Sequence, residues 1–286
     1  MTRPHSWRLV QALPGTARFA LAAVLTAALA GCTGPSPAPA PQPLPMGTPT
    51  RTTLLAVYYV VSEQDGPKLI RELHNLPVAD ESAATKVTAA VADMLSGPAL
   101  DPDYGTLWPQ GVRILSAKVD GDTTTVDLSG VHGGLGGPAE AMALQQLIHT
   151  ATAASGQPKV RILSDGQPVD SLFGHVATNK PLARGPAVDV LSGVWVISPQ
   201  QGDKPGGEVK VHLAGIAHEA TVVYDILRDG KVVKHDVVTL SAGAPKQGEY
   251  TTTVQLEPGD YLIQAYAVSQ ENGGIQHRDS HFFTVG

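Results

Sequence analysis

The sequence predicts an α/β domain followed by an all-β domain of immunoglobulin-like type. Between residues 54 and 176, apolar residues recur alternately with the strand period of two and the helical period of 3.6. From residue 188 onward only short strand-like runs separated by turn residues occur. The aperiodic stretch 178–187, which contains two prolines, separates the two patterns and predicts a linker.

Composition excludes several classes of protein. The hydrophobic fraction is 42% and the charged fraction 16%, which argues against a disordered chain and a charged coiled coil. The formal net charge is −6, and residues 1–31 contribute three arginines and no acid. An acidic remainder is poorly suited to binding a phosphate backbone, so we expect no nucleic-acid partner. The single cysteine excludes an intramolecular disulfide and a cysteine-rich zinc site.

Residues 1–31 have the organisation of an export signal. Arg3, Arg8 and Arg18 form a positive leader, and the apolar run 19–30 follows. A run of this length is typical of a signal peptide and too short to span a bilayer as a helix.

Leu29, Ala30, Gly31 and Cys32 resemble the lipobox of bacterial lipoproteins. The resemblance implies that Cys32 becomes the mature N-terminus and carries lipid (a diacylglyceryl thioether, with palmitate as a typical acyl chain). Such an anchor is effectively permanent, and the expected location is the extracytoplasmic face of the cell membrane. The alternative is a plain secretory signal with a chance cysteine.

Residues 32–52 predict a proline-rich tether. Proline at nearly every second position favours extended polyproline II geometry and prevents helix or sheet. At ~3.1 Å per residue, residues 33–50 would hold the folded part up to about 55 Å from the lipid. The alternative is a Pro-x-x-Pro ligand for an SH3-like partner.

The α/β domain is expected at 53–177, beginning with a buried strand at 55–61. A helix is predicted at 83–96, where Gly97 and Pro98 stop it. Its inward face carries four apolar side chains, those of Val87, Val91, Met94 and Leu95. Asp120 and Gly121 then predict a two-residue hairpin turn.

A second helix is predicted from Pro138 to about Gly156, followed by a strand at 159–163. Its inward face carries Leu144, Leu147, Ile148 and Ala151. The resulting order is βαββαβ, which predicts a sandwich with helices on one face of a small sheet.

The all-β domain is expected at 188–286. Seven strands are predicted, at 188–198, 207–214, 220–228, 231–240, 249–256, 260–268 and 275–285. This spacing is typical of an immunoglobulin-like sandwich, here without an inter-sheet disulfide. Because each domain has its own apolar pattern, residues 48–178 and 186–286 are expected to fold separately, with thermal transitions that nearly add to that of the whole chain.

The first domain resembles a GerMN domain of sporulation and spore-germination proteins, and the second resembles the immunoglobulin-like domain that accompanies it. The first resemblance rests on five short segments, at 57–59, 95–98, 107–111, 119–129 and 165–169. The second rests on segments at 197–199, 211–215, 217–221 and 227–230. His218 departs from the second pattern, since the family commonly has phenylalanine there.

The resemblance implies a non-catalytic envelope lipoprotein that acts as an interaction or scaffold module. Its partners would be envelope proteins or a cell-wall polymer. The alternative is a solute- or glycan-binding lipoprotein, which would need an aromatic-lined cleft, although aromatic residues make up only 5% of the chain. A cell-wall enzyme ranks third. No motif predicts a cofactor, so none is expected.

Motifs for catalysis or metal binding receive structural explanations, so we predict no catalytic residue and no metal site. His277, Asp279 and His281 share one strand face, but the outer pair is roughly 13 Å apart, too far for one ion. A solvated strand face is predicted instead. The acid pairs Asp101/Asp103 and Asp120/Asp122 are assigned to a loop and a turn, and the glycine-rich stretch 130–138 to a strand-to-helix connection.

The loop 97–110 is the candidate partner-binding segment. It carries Tyr104 and Trp108, and aromatic side chains on such loops resemble interface anchors. The second interpretation is that Leu107 and Trp108 fold back to cap the core. The two differ in the effect of Trp108→Ala on stability.

Overall fold

A long hairpin begins the part of the chain that the computed structural model describes, which is residues 51–269 and 271–286. Strands β1 (Arg51–Glu63) and β2 (Gly66–Val78) pair antiparallel along their whole length. Gly66 closes the turn at a φ of 118°, a conformation that favours glycine. The predictions made for the signal peptide, Cys32 and the tether up to residue 50 lie outside the described residues.

Strand β2 is missing from the sequence prediction, which placed one strand before the first helix. Pro67 and Pro77 stand near its ends, and proline is usually excluded from sheets. Glu72 and His74, both buried, interrupt its apolar pattern further. The two-stranded ribbon tolerates the prolines because no further strand of the described residues continues its edges, and hydrogen bonds to Asp93 and to the loop after α1 compensate the burial of Glu72 and His74.

The first helix, α1 (Ala83–Ser96), has the bounds that the sequence predicts. The Ser82 hydroxyl accepts a hydrogen bond from the Thr85 N–H and caps its first turn. The predicted inward residues are all buried, together with Ala90.

A second sheet follows, and the long helix α2 connects two of its strands. Its elements are β3 (Arg113–Asp120), β4 (Thr123–Ser129), α2 (Gly137–Ser155), β5 (Lys159–Ser164), β6 (Gln167–Pro168) and β7 (Leu182–Ala183). The strand order is β3-β4-β5-β6, and β7 pairs with β5. The predicted hairpin at Asp120 and Gly121 is confirmed, and β4 and β5 run parallel across the α2 crossover.

The stretch 178–187, expected to be a linker, makes contacts with the first domain. β7 lies within it and continues the sheet beside β5. The Arg184 guanidinium donates to the Thr152 hydroxyl and the His149 carbonyl on α2. The Gly185 N–H donates to the Gln145 side chain, also on α2.

The C-terminal part is a two-sheet β-sandwich preceded by a short helix. Its elements are α3 (Ala187–Val190), β8 (Val194–Ser198), β9 (Glu208–Gly215), β10 (Thr221–Arg228), β11 (Lys231–Thr239), β12 (Gly248–Gln255), β13 (Gly259–Val268) and β14 (Ile275–Val285). One sheet has the order β12-β9-β8 and the other β11-β10-β13-β14. All seven predicted strands are present, and the first begins later because α3 occupies its start.

Each domain has its own buried apolar cluster, but the cluster of the α/β domain extends into the sandwich. Trp195, Ile197 and Ala214 belong to strands β8 and β9 and pack with the core of the first domain. The Trp195 side chain is fully buried there. No helix in the part of the chain covered by the structure is long and apolar enough to cross a membrane.

Candidate functional site

A cleft of about 650 Å³ opens between the two domains. The end of the β1–β2 hairpin lines one side with Glu63 and Asp65, and β14 lines the other with His277 and Asp279. Tyr104, from the loop after α1, forms part of its wall. The cleft is therefore bounded by the end of the β1–β2 hairpin, the loop after α1 and strand β14.

A buried cluster of polar side chains lies beside this cleft. The Tyr104 hydroxyl is 2.5 Å from Asp279 Oδ1 and 3.1 Å from His281 Nε2. The same His281 nitrogen is 3.6 Å from Asp101 Oδ2 and 3.8 Å from Asp279 Oδ2. We call Asp101, Tyr104, Asp279 and His281 the interdomain cluster.

The loop residues of the interdomain cluster are held by backbone contacts. Gly105 and Val60 exchange two N–H···O=C bonds of 2.8 and 2.9 Å, which attach the loop to β1. The Asp101 N–H donates to Glu72 on β2, and Asp101 Oδ1 accepts from the Asp103 N–H. Asp101 is thereby fixed with its second oxygen toward the sandwich domain.

The β14 residues are held by the neighbouring strand β8 and the turn after it. Asp279 Oδ2 accepts from the Val196 N–H at 2.7 Å. His281 Nδ1 lies 2.9 Å from the Pro199 carbonyl oxygen, which can only accept. His281 Nδ1 therefore carries a hydrogen, and Nε2 faces the interdomain cluster.

Burial changes the acidity of the cluster. Removal from water raises the pKa of the Asp101 carboxyl above its usual range. Burial, together with the neighbouring charge of Asp279, also raises the pKa of the Tyr104 hydroxyl. Tyr104 therefore stays protonated and can serve as a hydrogen-bond donor.

A second buried network supports the loop from the side of the first domain. His74 lies between two carboxylates, 2.7 Å from Asp93 and 2.8 Å from Glu72. Burial alone would lower the pKa of His74, but its hydrogen bonds to these carboxylates raise that pKa to about 9. The charged imidazole thus balances the two acids, while Glu72 accepts the N–H groups of Leu100 and Asp101.

Polar contacts also cross the domain boundary outside the interdomain cluster. His277 Nδ1 is 2.6 Å from Glu63, and the Arg71 guanidinium is 2.8 Å from Glu249. The Gln200 side chain pairs with both the N–H and the carbonyl of Leu73 on β2. The interface is therefore polar around the buried Trp195 and Ile197.

The structure changes the interpretation of the three β14 residues. The prediction of a solvated strand face is wrong, because His281 is 1% exposed and packs against the first domain. His277, at a φ of 49°, instead contacts Glu63 at the rim. The signal that could have found the cluster is the Asp-x-His pair on β14, but its partners are about 175 residues away in the chain.

The candidate partner-binding loop is packed inside the molecule. Trp108 is 5% exposed, and its indole N–H donates to the Ala143 carbonyl on α2 at 3.1 Å. Tyr104 is 9% exposed and points into the interdomain cluster. These positions favour the core-capping interpretation for Trp108 and assign Tyr104 to a contact between domains.

The remaining candidate acids are separate from the cluster. Asp103 is exposed on the loop, and Asp122 forms a surface ion pair with Lys159 at 2.7 Å. The glycine-rich stretch 130–138 connects β4 to α2, as predicted, and leads into a buried Glu140 that the sequence analysis missed.

Glu140 fixes the segment after β6. Its carboxylate accepts hydrogen bonds from the Ser171 hydroxyl and the N–H groups of Phe173 and His175. Burial alone would raise the pKa of Glu140, but these hydrogen bonds hold the pKa below its usual range. The carboxylate therefore stabilises the fold when it is ionised.

Glu140→Gln is expected to lower the free energy of unfolding by about 2–3 kcal/mol at pH 7, because an amide cannot accept all these donors. Since the folded-state pKa of Glu140 is depressed, its contribution is complete above the unfolded-state pKa and is lost as the pH falls through the folded-state value. Urea denaturation at pH 7 and in acid should show that the free energies of unfolding of the wild type and of Glu140→Gln come closer together in acid. Glu208→Gln, at an exposed position, is the control. If the loss of stability in Glu140→Gln were the same at both pH values, the stabilising role of the ionised Glu140 carboxylate would be contradicted.

Comparisons with known proteins agree with the two-domain architecture. Residues 56–170 match the Germane family, described as sporulation and spore germination. Residues 193–274 match the Gmad2 family, described as an immunoglobulin-like domain of bacterial spore germination. No curated protein gives a significant match to the sequence.

The solved structures that are similar to part of this chain include a candidate lipoprotein and two structures of one sporulation protein. A candidate lipoprotein of Clostridium perfringens is 22% identical over 46% of this chain and 88% of its own, with a TM-score of 0.34. The first GerMN domain of GerM from Bacillus subtilis is 17% identical over 46% of this chain and 98% of its own, with a TM-score of 0.38.

The tandem GerMN domains of the same GerM protein are 17% identical, with a TM-score of 0.37, over 50% of this chain. This chain spans about half of that tandem structure, 49% of its length. From the two family matches, the chain carries a Germane domain at residues 56–170 and an immunoglobulin-like domain of bacterial spore germination at residues 193–274.

Proposed function

We propose that this chain is a non-catalytic, lipid-anchored lipoprotein of the bacterial cell envelope whose two domains act together as an interaction module. The observation that carries the proposal is the fusion of two germination-type domains into one compact unit. The lipobox at Cys32 and the proline-rich tether support attachment to the extracytoplasmic face of the membrane. Envelope proteins or a cell-wall polymer are the proposed partners.

The contacts made by the side chains of the interdomain cluster support a non-catalytic role. Asp101, Tyr104, Asp279 and His281 bind one another and backbone groups of both domains. Such contacts hold domains in place, whereas a hydrolase needs an accessible nucleophile or a pair of acids facing substrate. The fixed arrangement presents the surfaces of both domains to one partner at the same time.

The alternative of a solute- or glycan-binding lipoprotein has less support. Among the described residues that line the 650 Å³ cleft, Tyr104 is the single phenylalanine, tyrosine or tryptophan. A groove of about 710 Å³ between α1 and β3 is lined mainly by small and aliphatic side chains. Sugar recognition relies on stacking against exposed aromatic faces, which neither lining supplies.

Cys32→Ala is expected to release the protein from the membrane fraction or to leave its signal uncleaved, because the thiol that receives the lipid is absent. The measurement is fractionation of cells after in vivo cross-linking, followed by affinity purification of the tagged full chain. Wild-type protein should appear in the membrane pellet with reproducible cross-linked neighbours.

The matched control is Ser36→Ala, which changes the tether and leaves the lipobox intact. Normal processing and membrane retention of Cys32→Ala would contradict lipid anchoring.

Hydrolysis of purified cell-wall polymer by the wild-type chain, abolished by Asp101→Asn, would contradict the non-catalytic assignment and favour the cell-wall enzyme.

A further inference from the structure

We propose that Asp101, Asp279 and His281 form a binding site for a divalent transition-metal ion, with zinc as the ion to test. Their ligand atoms, one from each residue, all lie within 4.8 Å of one another. Asp101 comes from the Germane domain, and Asp279 and His281 come from β14 of the immunoglobulin-like domain. A bound ion would therefore join the two domains.

The charges of the cluster call for a cation. Asp101 is a buried acid and Asp279 a part-buried one whose side chain is 10% exposed, and the ion pairs found among residues 51–269 and 271–286 give neither of them a lysine or arginine partner. His74 balances Glu72 and Asp93 in the adjacent network and does not contact either acid. A divalent ion would neutralise both carboxylates, whereas a proton on His281 would neutralise one.

The small number of hydrogen-bond donors in the interdomain cluster also indicates that a cation is needed there. Tyr104 has one hydroxyl hydrogen, and Asp279 Oδ1 at 2.5 Å is its nearer acceptor. With a neutral imidazole that carries its hydrogen on Nδ1, that assignment leaves the lone pair of His281 Nε2 facing Asp101 Oδ2 at 3.6 Å. Two electron-rich atoms in this relation are stabilised by a cation placed between them.

His281 is oriented as metal-binding histidines usually are. Its Nδ1 donates to the Pro199 carbonyl at 2.9 Å, which fixes the ring and directs Nε2 to the cluster. An imidazole whose second nitrogen donates to a carbonyl or carboxylate is the common outer arrangement of zinc sites. Asp279 has a comparable support, because its Oδ2 accepts the Val196 N–H.

The separations fit a small ion with few ligands. Tetrahedral zinc with ligands at about 2.0–2.1 Å has ligand atoms about 3.3–3.4 Å apart. The separations from His281 Nε2 to Asp101 Oδ2 and Asp279 Oδ2 are 3.6 and 3.8 Å, so a small side-chain adjustment suffices. Three protein ligands including an imidazole favour zinc over calcium or magnesium, which prefer six or more oxygen ligands.

An entry route exists as well. Asp279 and Tyr104 line the 650 Å³ cleft, so the cluster is reached from solvent through it. Glu63, Asp65, His277 and Arg278 lie in the same lining, so charged side chains of both signs border this route. A water molecule from the cleft could occupy the fourth coordination position.

The test is metal binding by the full chain, purified in detergent and stripped with a chelator. With added zinc sulfate, elemental analysis should give about one zinc per chain after desalting. The melting temperature should rise by about 5 °C or more at a zinc concentration 100-fold above the dissociation constant. Cobalt(II) in place of zinc should give the intense visible absorption of a four-coordinate site.

Asp101→Asn is the diagnostic variant, because it keeps the size of the side chain and the acceptor for the Asp103 N–H. It should lose the bound zinc and the thermal shift, while the exposed neighbour Asp103→Asn should retain both. Less than about 0.1 zinc per wild-type chain, or equal zinc in Asp101→Asn, would overturn the proposal and leave a proton as the balancing cation. If Asp101→Asn does not fold, the wild-type cobalt spectrum decides, since six-coordinate cobalt would overturn the proposal too.

Discussion

Trp108→Ala is expected to lower the free energy of unfolding by about 3–5 kcal/mol. The indole is 5% exposed, its N–H donates to the Ala143 carbonyl, and its ring lies 5.9 Å from that of Phe173. Alanine would remove the contacts of a large buried ring and leave a cavity between the loop and α2. Urea denaturation of the full chain, followed by circular dichroism, measures the change in the transition of the Germane domain.

Two further variants separate burial from other effects. Leu100→Ala changes a residue of the same loop that is 42% exposed, so its cost should stay below about 1 kcal/mol. Trp108→Phe keeps much of the packing and loses the hydrogen bond to Ala143, so an intermediate cost of about 1–2 kcal/mol is expected. A cost below about 1 kcal/mol for Trp108→Ala would contradict core capping and restore the interface-anchor interpretation.

Periodicity explains which elements the sequence analysis identified. The helix at 83–96 combines four apolar residues on one face with a Gly-Pro stop, so local signals define both its core face and its end. The seven strands of the sandwich are similarly short, β-branched and separated by turn residues. In these segments the buried face of each element is visible within a dozen residues of sequence.

The missed elements depend on partners that are distant or very short. Strands β6 and β7 have two residues each and exist because β5 supplies their hydrogen-bonding partners. Strand β2 contains buried Glu72 and His74, and from the sequence alone both would be predicted to lie on the surface. Their burial is compensated by Asp93 and by the N–H groups of the loop after α1, and neither compensation has a local signature.

The interdomain cluster could not be assembled from sequence for a related reason. Asp279 and His281 alternate correctly for one strand face, and the geometry along that strand excludes an ion shared with His277. The missing ligand, Asp101, comes from another domain through a loop whose position depends on Glu72 and on the pairing of Gly105 with Val60. A strand face that packs against a neighbouring domain has the same polar pattern as one that faces water.

The domain boundary is a second property that tertiary contacts decide. The segment 178–187 is aperiodic in sequence, yet β7 extends the first sheet and Arg184 binds two positions on α2. Val190 and Leu191, 6% and 3% exposed, belong to the core of the Germane domain. The Ser192 N–H donates to the Leu69 carbonyl on β2, which places the chain still within the first domain at that residue.

A fragment of residues 48–192 is therefore expected to be more stable than one of residues 48–178 by about 3–6 kcal/mol. Burial of one valine and one leucine side chain accounts for this range at about 1.5–3 kcal/mol each, and the contacts of Arg184 add to it. Thermal and urea denaturation of the two fragments measures the difference.

The control is 48–192 carrying Val188→Ala, since that side chain is 41% exposed and its loss should cost less than about 1 kcal/mol. Equal midpoints for the two fragments would contradict the boundary and support a linker that begins at residue 178. Even the longer fragment should melt below the full chain, because Trp195 and Ile197 complete the Germane core from β8. The transitions of the separated domains should therefore fall short of adding to that of the whole, since part of the stability belongs to the interface between them.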